Sequence, residues 1–161
     1  MVDFQEFSMI NMKRICTTIS IKASPEDVWE ILSNIKEYHT WNPFITKASG
    51  KLEVGKVLEV EFKTSNSLKI NLKPVILNTE VNREIRWKGQ FWVKGLLDGE
   101  HLFRIEEMED GSVHFINCEK FTGLLMPLFM YLIEEDTEDG FKAMNEQLKA
   151  MAEKRKSNRG L

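Results

Sequence analysis

Apolar and polar residues alternate along several short segments of the chain, which is the pattern of half-buried β-strands. Residues 14–22 form the first predicted strand, with three isoleucines and a threonine on one face. The same alternation predicts further strands at residues 57–63, 68–78, 84–89, 99–107 and 113–122. Pro74 interrupts the third predicted strand and indicates an edge position or a bulge there. Such alternation is typical of an antiparallel sheet with one face in solvent.

Two short helical segments are predicted directly after the first strand. Ser24 is a favourable N-cap, and Pro25 suits the first helical position of a segment that ends near Leu32. A second segment, residues 36–41, must end before Pro43, because the residue before a proline is disfavoured in the helical region. The sheet therefore starts with one strand followed by two helices.

A long helix is predicted at the end of the chain, over residues 124–156. At 100° per residue one side of it carries mainly apolar or small residues. These residues are Met126, Phe129, Ile133, Thr137, Gly140, Met144, Leu148 and Met151. We expect a single domain at residues 13–155, a flexible leader at residues 1–12 and a basic tail at residues 156–161.

Composition excludes several classes of function. The chain has 161 residues and a net charge of −3, so it is long enough for one core and has no basic surplus that would favour nucleic acid. The longest uncharged run, residues 121–133, is too short to span a bilayer, and no signal peptide is predicted. Cys16 and Cys118 are expected to be two separate buried thiols, although a contact between their strands is the alternative. These features predict a cytoplasmic protein without stable membrane insertion.

The motifs of common catalytic and cofactor sites are missing from the sequence. It contains no GxSxG elbow, no glycine-rich phosphate loop, and neither HExxH nor paired-cysteine metal motifs. The three histidines His39, His101 and His114 are scattered, and strand alternation puts the last two on opposite faces of the sheet. We therefore expect neither a metal nor a cofactor.

One polar pair remains as a candidate site. A turn at residues 109–112 would place His101 opposite Glu119, or one pair away, on the inner face of the sheet. The two groups could simply satisfy one another. They could also anchor a ligand in an apolar pocket, or act as a general acid or base with its orienting partner.

A pocket is predicted between the sheet and the terminal helix. Thr137 and Gly140 are small residues in the middle of the inward stripe, and a helical glycine costs about 1 kcal/mol relative to alanine. Either a cavity or the close packing of another element would explain them. In the cavity interpretation Gly140→Leu fills empty space and raises the melting temperature, and this is the outcome that the sequence predicts. The predicted ligand-binding residues are Trp41, Phe62, Trp87, His101, Phe103, Asn117, Glu119, Phe121, Phe129, Ile133, Thr137 and Gly140.

Several motifs, taken in order, resemble those of the SRPBCC (START-like) superfamily and its bacterial polyketide cyclase/dehydrase-like and lipid-transport-like group. The resemblance covers about residues 13–154 and rests on VWEIL, YHTWNPF, EIRWKG, GLLDGEHLFRIE and EKFTGLLMPLF. It implies an α+β helix-grip fold, in which a seven-stranded antiparallel sheet curls around a long C-terminal helix and two short helices follow the first strand. Members bind hydrophobic small molecules between sheet and helix, and some are enzymes. No catalytic motif is shared across the superfamily, so none is transferred to this chain.

Three functions follow as hypotheses. The first is binding of a small hydrophobic ligand, lipid-like, polyketide-like or aromatic, without catalysis. The second is a cyclase or dehydratase that acts on a polyketide-like or carbonyl substrate, with His101 as acid or base and Glu119 as its partner. The third is a homodimeric interaction module that uses Phe91, Trp92 and the apolar segment 124–131.

Overall fold

The computed structural model describes residues 12–64, 67–91 and 95–159. Residues 1–11 of the leader predicted at residues 1–12, Trp92 and the side chains of Phe91 and Phe129 lie outside the described part of the chain, and Met12 begins the first strand. Eight strands and three α-helices occur in the described ranges. In chain order they are β1 (Met12–Ile21), α1 (Pro25–Ser33), a 3₁₀ turn (Ile35–Glu37), α2 (Tyr38–Trp41), β2 (Ile45–Ser49), β3 (Glu59–Lys63), β4 (Lys69–Leu72), β5 (Val75–Glu80), β6 (Glu84–Phe91), β7 (Leu97–Glu107), β8 (Val113–Thr122) and α3 (Met126–Arg159).

The two short helices are fixed by local hydrogen bonds. The Ser24 hydroxyl accepts a hydrogen bond from the Asp27 backbone N–H (3.3 Å), which caps α1. The Tyr38 hydroxyl is fully buried and donates to the Leu32 carbonyl at the end of α1 (2.6 Å). Burial raises the pKa of this phenol well above its usual range. The prediction of two short helices after the first strand is confirmed.

The strands form two antiparallel sheets, with the orders β1-β8-β7-β6-β5 and β2-β3-β4. The α+β helix-grip architecture is therefore confirmed, but the strand number is not, because seven strands in one sheet were expected. The alternation missed β2, and Pro74 splits the predicted strand 68–78 into β4 and β5, since a proline has no N–H for the ladder. The Leu58 N–H donates to the Pro74 carbonyl (2.8 Å). The Gly55 N–H donates to the Ile76 carbonyl and the Ile76 N–H donates to the Lys56 carbonyl (2.9 Å each), and these bonds join the two sheets.

The core lies between the inner face of the sheet and α3. Among its largest fully buried side chains are Phe103, Phe115, Phe141 and Met144. α3 continues to Arg159, so residues 156–159 of the predicted basic tail are helical. The helix approaches the sheet closely enough for direct contact between their side chains.

A buried amide pair connects α3 to the sheet. The Asn117 amide of β8 donates to Asn145 Oδ1 of α3 (3.1 Å), and the Asn145 amide donates to the Thr17 hydroxyl of β1 (3.0 Å). Both asparagines are almost completely buried, where an unpaired amide would be costly. Asn117 was predicted to bind ligand, but its Nδ2 donates to the helix, and its buried Oδ1 has no hydrogen-bond partner in the described part of the chain.

The cysteine prediction is wrong. β1 and β8 pair in a register that sets Cys16 directly opposite Cys118, with 4.2 Å between the Cα atoms, and the two form a disulfide. Since Ile15 and Thr17 point inward, Cys16 points outward and is exposed, and Cys118 is half-buried. The two cysteines therefore no longer support the predicted cytoplasmic location.

A charged cluster occupies the outer face of the sheet around Glu84. Its side chain is 10% exposed, and its carboxylate accepts hydrogen bonds from Asn78 Nδ2 (3.0 Å), Arg86 Nε (3.0 Å) and Arg104 Nη2 (3.1 Å). Burial alone would raise the pKa of Glu84, but these three donors outweigh it and hold the pKa below its usual value. Relative to its protonated form, the ionised Glu84 is therefore favoured more in the folded chain than in the unfolded chain.

Candidate functional site

A largely apolar cavity opens between the sheet and the first half of α3. Its space amounts to about 770 Å³ when solvent at the mouth is included. It is bordered by β4 and β6, beside the break at Pro74. The lining residues are Phe44, Phe62, Thr64, Ile70, Leu72, Pro74, Trp87, Gly89, Gly99, Glu119, Phe121, Ile133, Asp136, Thr137 and Phe141.

Two glycines form the floor of the cavity. Gly89 of β6 and Gly99 of β7 are paired directly across the ladder, and both are buried on the inner face. A Cβ atom at Gly89 would lie 3.6 Å from Leu72 Cδ1 and 3.8 Å from Pro74 Cβ, which is ordinary contact. A Cβ atom at Gly99 would collide with Oε1 of Glu119. The absence of both side chains leaves the space open and lets the Glu119 carboxylate lie over the sheet.

Three aromatic rings build one wall. Phe44 contacts Phe62 and Phe141 edge to face, with ring centroids 5.4 Å and 5.5 Å apart. The backbone of Phe44 is fixed by Asn42, whose Oδ1 accepts hydrogen bonds from the N–H groups of Phe44 (3.0 Å) and Ile45 (2.8 Å). A local turn after α2 therefore places Phe44 against the helix.

The predicted polar pair is present at the inner end of the cavity. His101 and Glu119 are directly opposite in β7 and β8, and Nδ1 of His101 lies 2.6 Å from Oε2 of Glu119. The imidazole stacks on Trp87 (5.2 Å between centroids) and meets Phe103 and Phe141 edge to face at 4.3 Å and 5.2 Å. Such tight aromatic packing fixes the orientation of the imidazole.

Only one member of this pair faces the cavity. Glu119 lines it, with a side chain that is 12% exposed, whereas His101 is 1% exposed and lies behind the carboxylate. Nε2 of His101 is buried without a hydrogen-bond partner in the described part of the chain. A group in the cavity can therefore contact Glu119, whereas His101 lies behind that carboxylate.

The structure brings half of the sequence-predicted site together. Six of the twelve residues line the cavity: Phe62, Trp87, Glu119, Phe121, Ile133 and Thr137. His101 and Phe103 lie directly behind that wall, whereas Trp41 packs on Tyr38 with centroids 5.1 Å apart.

The cavity explanation of Gly140 is wrong. A Cβ atom at Gly140 would lie 2.7 Å from Cε2 and 2.8 Å from Cγ of Phe44, and closer still to Cδ2. The glycine is therefore needed for close packing of the Phe44 ring on α3, which was the other interpretation. The small residue that does border the cavity is Thr137.

Sequence reasoning missed nine of the lining residues, including both glycines, Phe44 and Phe141. Strand parity from Trp87 and His101 would have located Gly89 and Gly99, each two positions away on the same face. A helical stripe drawn through Ile133, Thr137 and position 141 would have located Phe141. Phe44 had no such signal, because the turn at Asn42 is irregular.

The described ranges contain no group of three or more His, Cys, Asp or Glu residues arranged to hold a metal ion. Among the helices of those ranges, none has the length and apolar character needed to cross a membrane.

Comparison with known proteins agrees with the geometry. The family model "Polyketide cyclase / dehydrase and lipid transport" matches residues 12–153. No curated protein matches the chain. Among solved structures, the di-domain aromatase/cyclase StfQ of the steffimycin biosynthetic pathway superposes with a TM-score of 0.77 at 12% identity, over 95% of this chain and 54% of that one.

Two further structures match over nearly their whole length. The Zhui aromatase/cyclase of a Streptomyces species has a TM-score of 0.74 at 14% identity, over 89% of this chain and 95% of that one. A START superfamily protein from Mycobacterium smegmatis has a TM-score of 0.64 at 18% identity, over 86% and 98%. Identities this low establish the fold alone, and this chain spans about half of the first structure. The family model, which covers most of the sequence, shows that the chain belongs to the polyketide cyclase/dehydrase and lipid transport family.

Proposed function

We propose that the chain binds a small hydrophobic molecule in the cavity between the sheet and α3, without catalysis. The observation that supports it best is the glycine floor, because Gly89 and Gly99 keep open a space that larger side chains would fill. Most of the lining side chains are aliphatic or aromatic. Burial of apolar area is worth about 25 cal/mol per Å², so such a lining favours a lipid-like, polyketide-like or aromatic ligand.

The test uses N-phenyl-1-naphthylamine, a neutral fluorescent probe, together with the Gly89→Leu variant. A leucine at this position enters the cavity, and we expect it to weaken the dissociation constant of the probe on the order of tenfold or more. Gln90→Leu is the matched control, because the next residue of β6 is exposed on the opposite face. We expect it to bind the probe like the parent protein.

Native mass spectrometry of the purified protein gives an independent measurement, since a tightly held apolar ligand should co-purify. Equal affinity of the parent and Gly89→Leu would show that the probe binds elsewhere. A parent protein that neither binds the probe nor carries a ligand would contradict the proposal.

A cyclase or dehydratase is the second candidate function, and the Glu119 carboxylate on the cavity wall supports it. In such a reaction Glu119 would take a proton from the carbon next to a carbonyl group, and the new carbanion would attack a second carbonyl carbon of the same molecule. That proton would pass to the new alkoxide and give a hydroxyl group. Glu119 would then take a second proton from the same carbon and transfer it to the hydroxyl, so that the C–O bond breaks, a C=C bond forms and water leaves. His101 would hold the carboxylate in place. With a linear poly-β-keto thioester as substrate, Glu119→Gln would abolish the loss of water detected by mass spectrometry.

A homodimer and a cytoplasmic location also stay proposals. The start of α3 presents exposed apolar side chains, among them Leu128 (63% exposed) and Tyr131 (90% exposed), which support an interface. Light scattering after size exclusion, on the parent and on Leu128→Ser, tests it. A parent protein that runs as a monomer would contradict the dimer.

A further inference from the structure

The two oxygens of the Glu119 carboxylate have different surroundings. Oε2 is bonded to Nδ1 of His101. Oε1 lies over Gly99 on the cavity floor, so close that a Cβ atom there would collide with it. In the described residues no side chain or backbone group bonds to Oε1. A hydrogen-bond acceptor is therefore presented to whatever enters the cavity.

The charged residues among the described lining of the cavity are acidic. Of its described lining residues, only Glu119 and Asp136 carry charge, and both are acidic. No lysine or arginine is found among those lining residues. The remaining polar groups are the hydroxyls of Thr64 and Thr137. A ligand with a carboxylate end would meet like charge in a partly desolvated site, which is unfavourable.

The carboxylate is also held in one orientation. His101 cannot turn away, because its ring is packed against Trp87, Phe103 and Phe141. Oε1 lies in the space left by the missing side chain of Gly99. An acceptor that is fixed before the ligand arrives loses little entropy on binding and discriminates well between ligand end groups.

We propose that the ligand has an apolar body and one O–H or N–H donor, which Oε1 of Glu119 accepts, and that carboxylate-ended molecules such as fatty acids are rejected. This inference rests on the proposed ligand-binding function and gives the chemical class of the ligand. Glu119 contacts the ligand, and His101 is a positioning residue. A hydrogen bond to a charged acceptor is expected to improve affinity on the order of tenfold to a hundredfold.

Four probes with the same naphthalene body test the inference by calorimetric titration. They are 2-naphthol, 2-(aminomethyl)naphthalene, 2-methoxynaphthalene and 2-naphthoate. We expect 2-naphthol to bind on the order of tenfold or more tightly than 2-methoxynaphthalene, which lacks the donor, and 2-naphthoate to bind most weakly. The affinity of 2-(aminomethyl)naphthalene shows whether a cationic N–H donor is preferred to a hydroxyl group.

Glu119→Gln is the diagnostic variant. If the imidazole N–H continues to donate to the amide oxygen, the amide NH₂ group faces the cavity and a donor replaces the acceptor. The preference for 2-naphthol over 2-methoxynaphthalene should then fall to less than about threefold, and 2-naphthoate should bind better than it does to the parent. Phe121→Leu, which changes an apolar wall residue, is the control and should weaken all four probes without changing their order.

The outcomes separate this inference from the function on which it rests. If no probe binds the parent protein, the proposed ligand-binding function fails. If 2-naphthol and 2-methoxynaphthalene bind equally well to the parent, or 2-naphthoate binds best, the ligand-binding function stands and the inferred ligand class is overturned. These comparisons within the parent protein do not depend on whether the Glu119 variant folds.

Discussion

Gly140→Ala tests whether α3 is packed as tightly against Phe44 as the structure shows. The new methyl group would lie under 3 Å from Cε2 and Cγ of the Phe44 ring. The ring cannot easily move, because it lies against both Phe62 and Phe141. We therefore expect the variant to be less stable, although alanine is the better helix former.

The magnitude follows from two opposing effects. Replacement of a helical glycine by alanine contributes about 1 kcal/mol of stability. Overpacking of a filled core costs about 1–3 kcal/mol. The net loss is then about 0–2 kcal/mol. For a chain of this size each kcal/mol shifts the melting temperature by about 2–4 °C, so a fall of about 3 °C is expected.

A double-mutant cycle with Phe44→Ala isolates the contact. Removal of the ring empties the space over Gly140, so Gly140→Ala should become stabilising by about 1 kcal/mol in that background. Urea unfolding of the four proteins gives the coupling energy, expected at about 1–3 kcal/mol. A rise in melting temperature for Gly140→Ala in the parent protein would refute the packing argument and restore the cavity at this position.

Three further predictions concern the disulfide, Glu84 and Tyr38. The Cys16–Cys118 disulfide closes a loop of 102 residues, so dithiothreitol should lower the free energy of unfolding in urea by about 2–5 kcal/mol and leave the double serine variant unchanged. The pKa of Glu84 is lowered in the folded chain, so its contribution is complete above the ordinary glutamate pKa of about 4.3 and is lost as the pH falls through the folded-state value. The stability advantage of the parent over Glu84→Gln should therefore shrink below about pH 4, and a constant difference would contradict this. In Tyr131→Phe, which leaves Tyr38 as the only tyrosine, the tyrosinate absorbance should appear only when alkali unfolds the protein, because burial raises the pKa of this phenol. Gradual ionisation of the folded variant would show that Tyr38 is accessible.

Local patterns predicted the pairing of His101 with Glu119 because only a short connection separates their strands. Five residues, 108–112, join β7 to β8, so parity and turn length together fix the register. β2 escaped prediction because its burial depends on β3 and α2 rather than on its own alternation. The split at Pro74 was visible as a proline, but its result, a second sheet beside the cavity, depends on distant partners.

The disulfide could not be predicted either, because it also depends on a distant partner. Cys16 and Cys118 are about a hundred residues apart, and nothing local to either cysteine indicates that β1 pairs with β8.

Gly140 was misinterpreted for a related reason. Helical periodicity correctly placed Gly140 on the buried side of α3. The ring that packs on it belongs to Phe44, which follows an irregular turn at Asn42. Local sequence predicts which side of a helix or strand is buried. Which side chains pack against that side depends on the topology of the whole chain.

The position of β1 at the edge of the larger sheet also sets an order of assembly during synthesis. β5 to β8 are neighbours in both sequence and space and can pair as each strand is made, but β1 has β8 as its sheet partner. At about 5–20 residues per second, the roughly hundred residues between them take about 5–20 s to be made. During that time β1 has no native strand to pair with, so its pairing with β8 can form only after the last strand has been made.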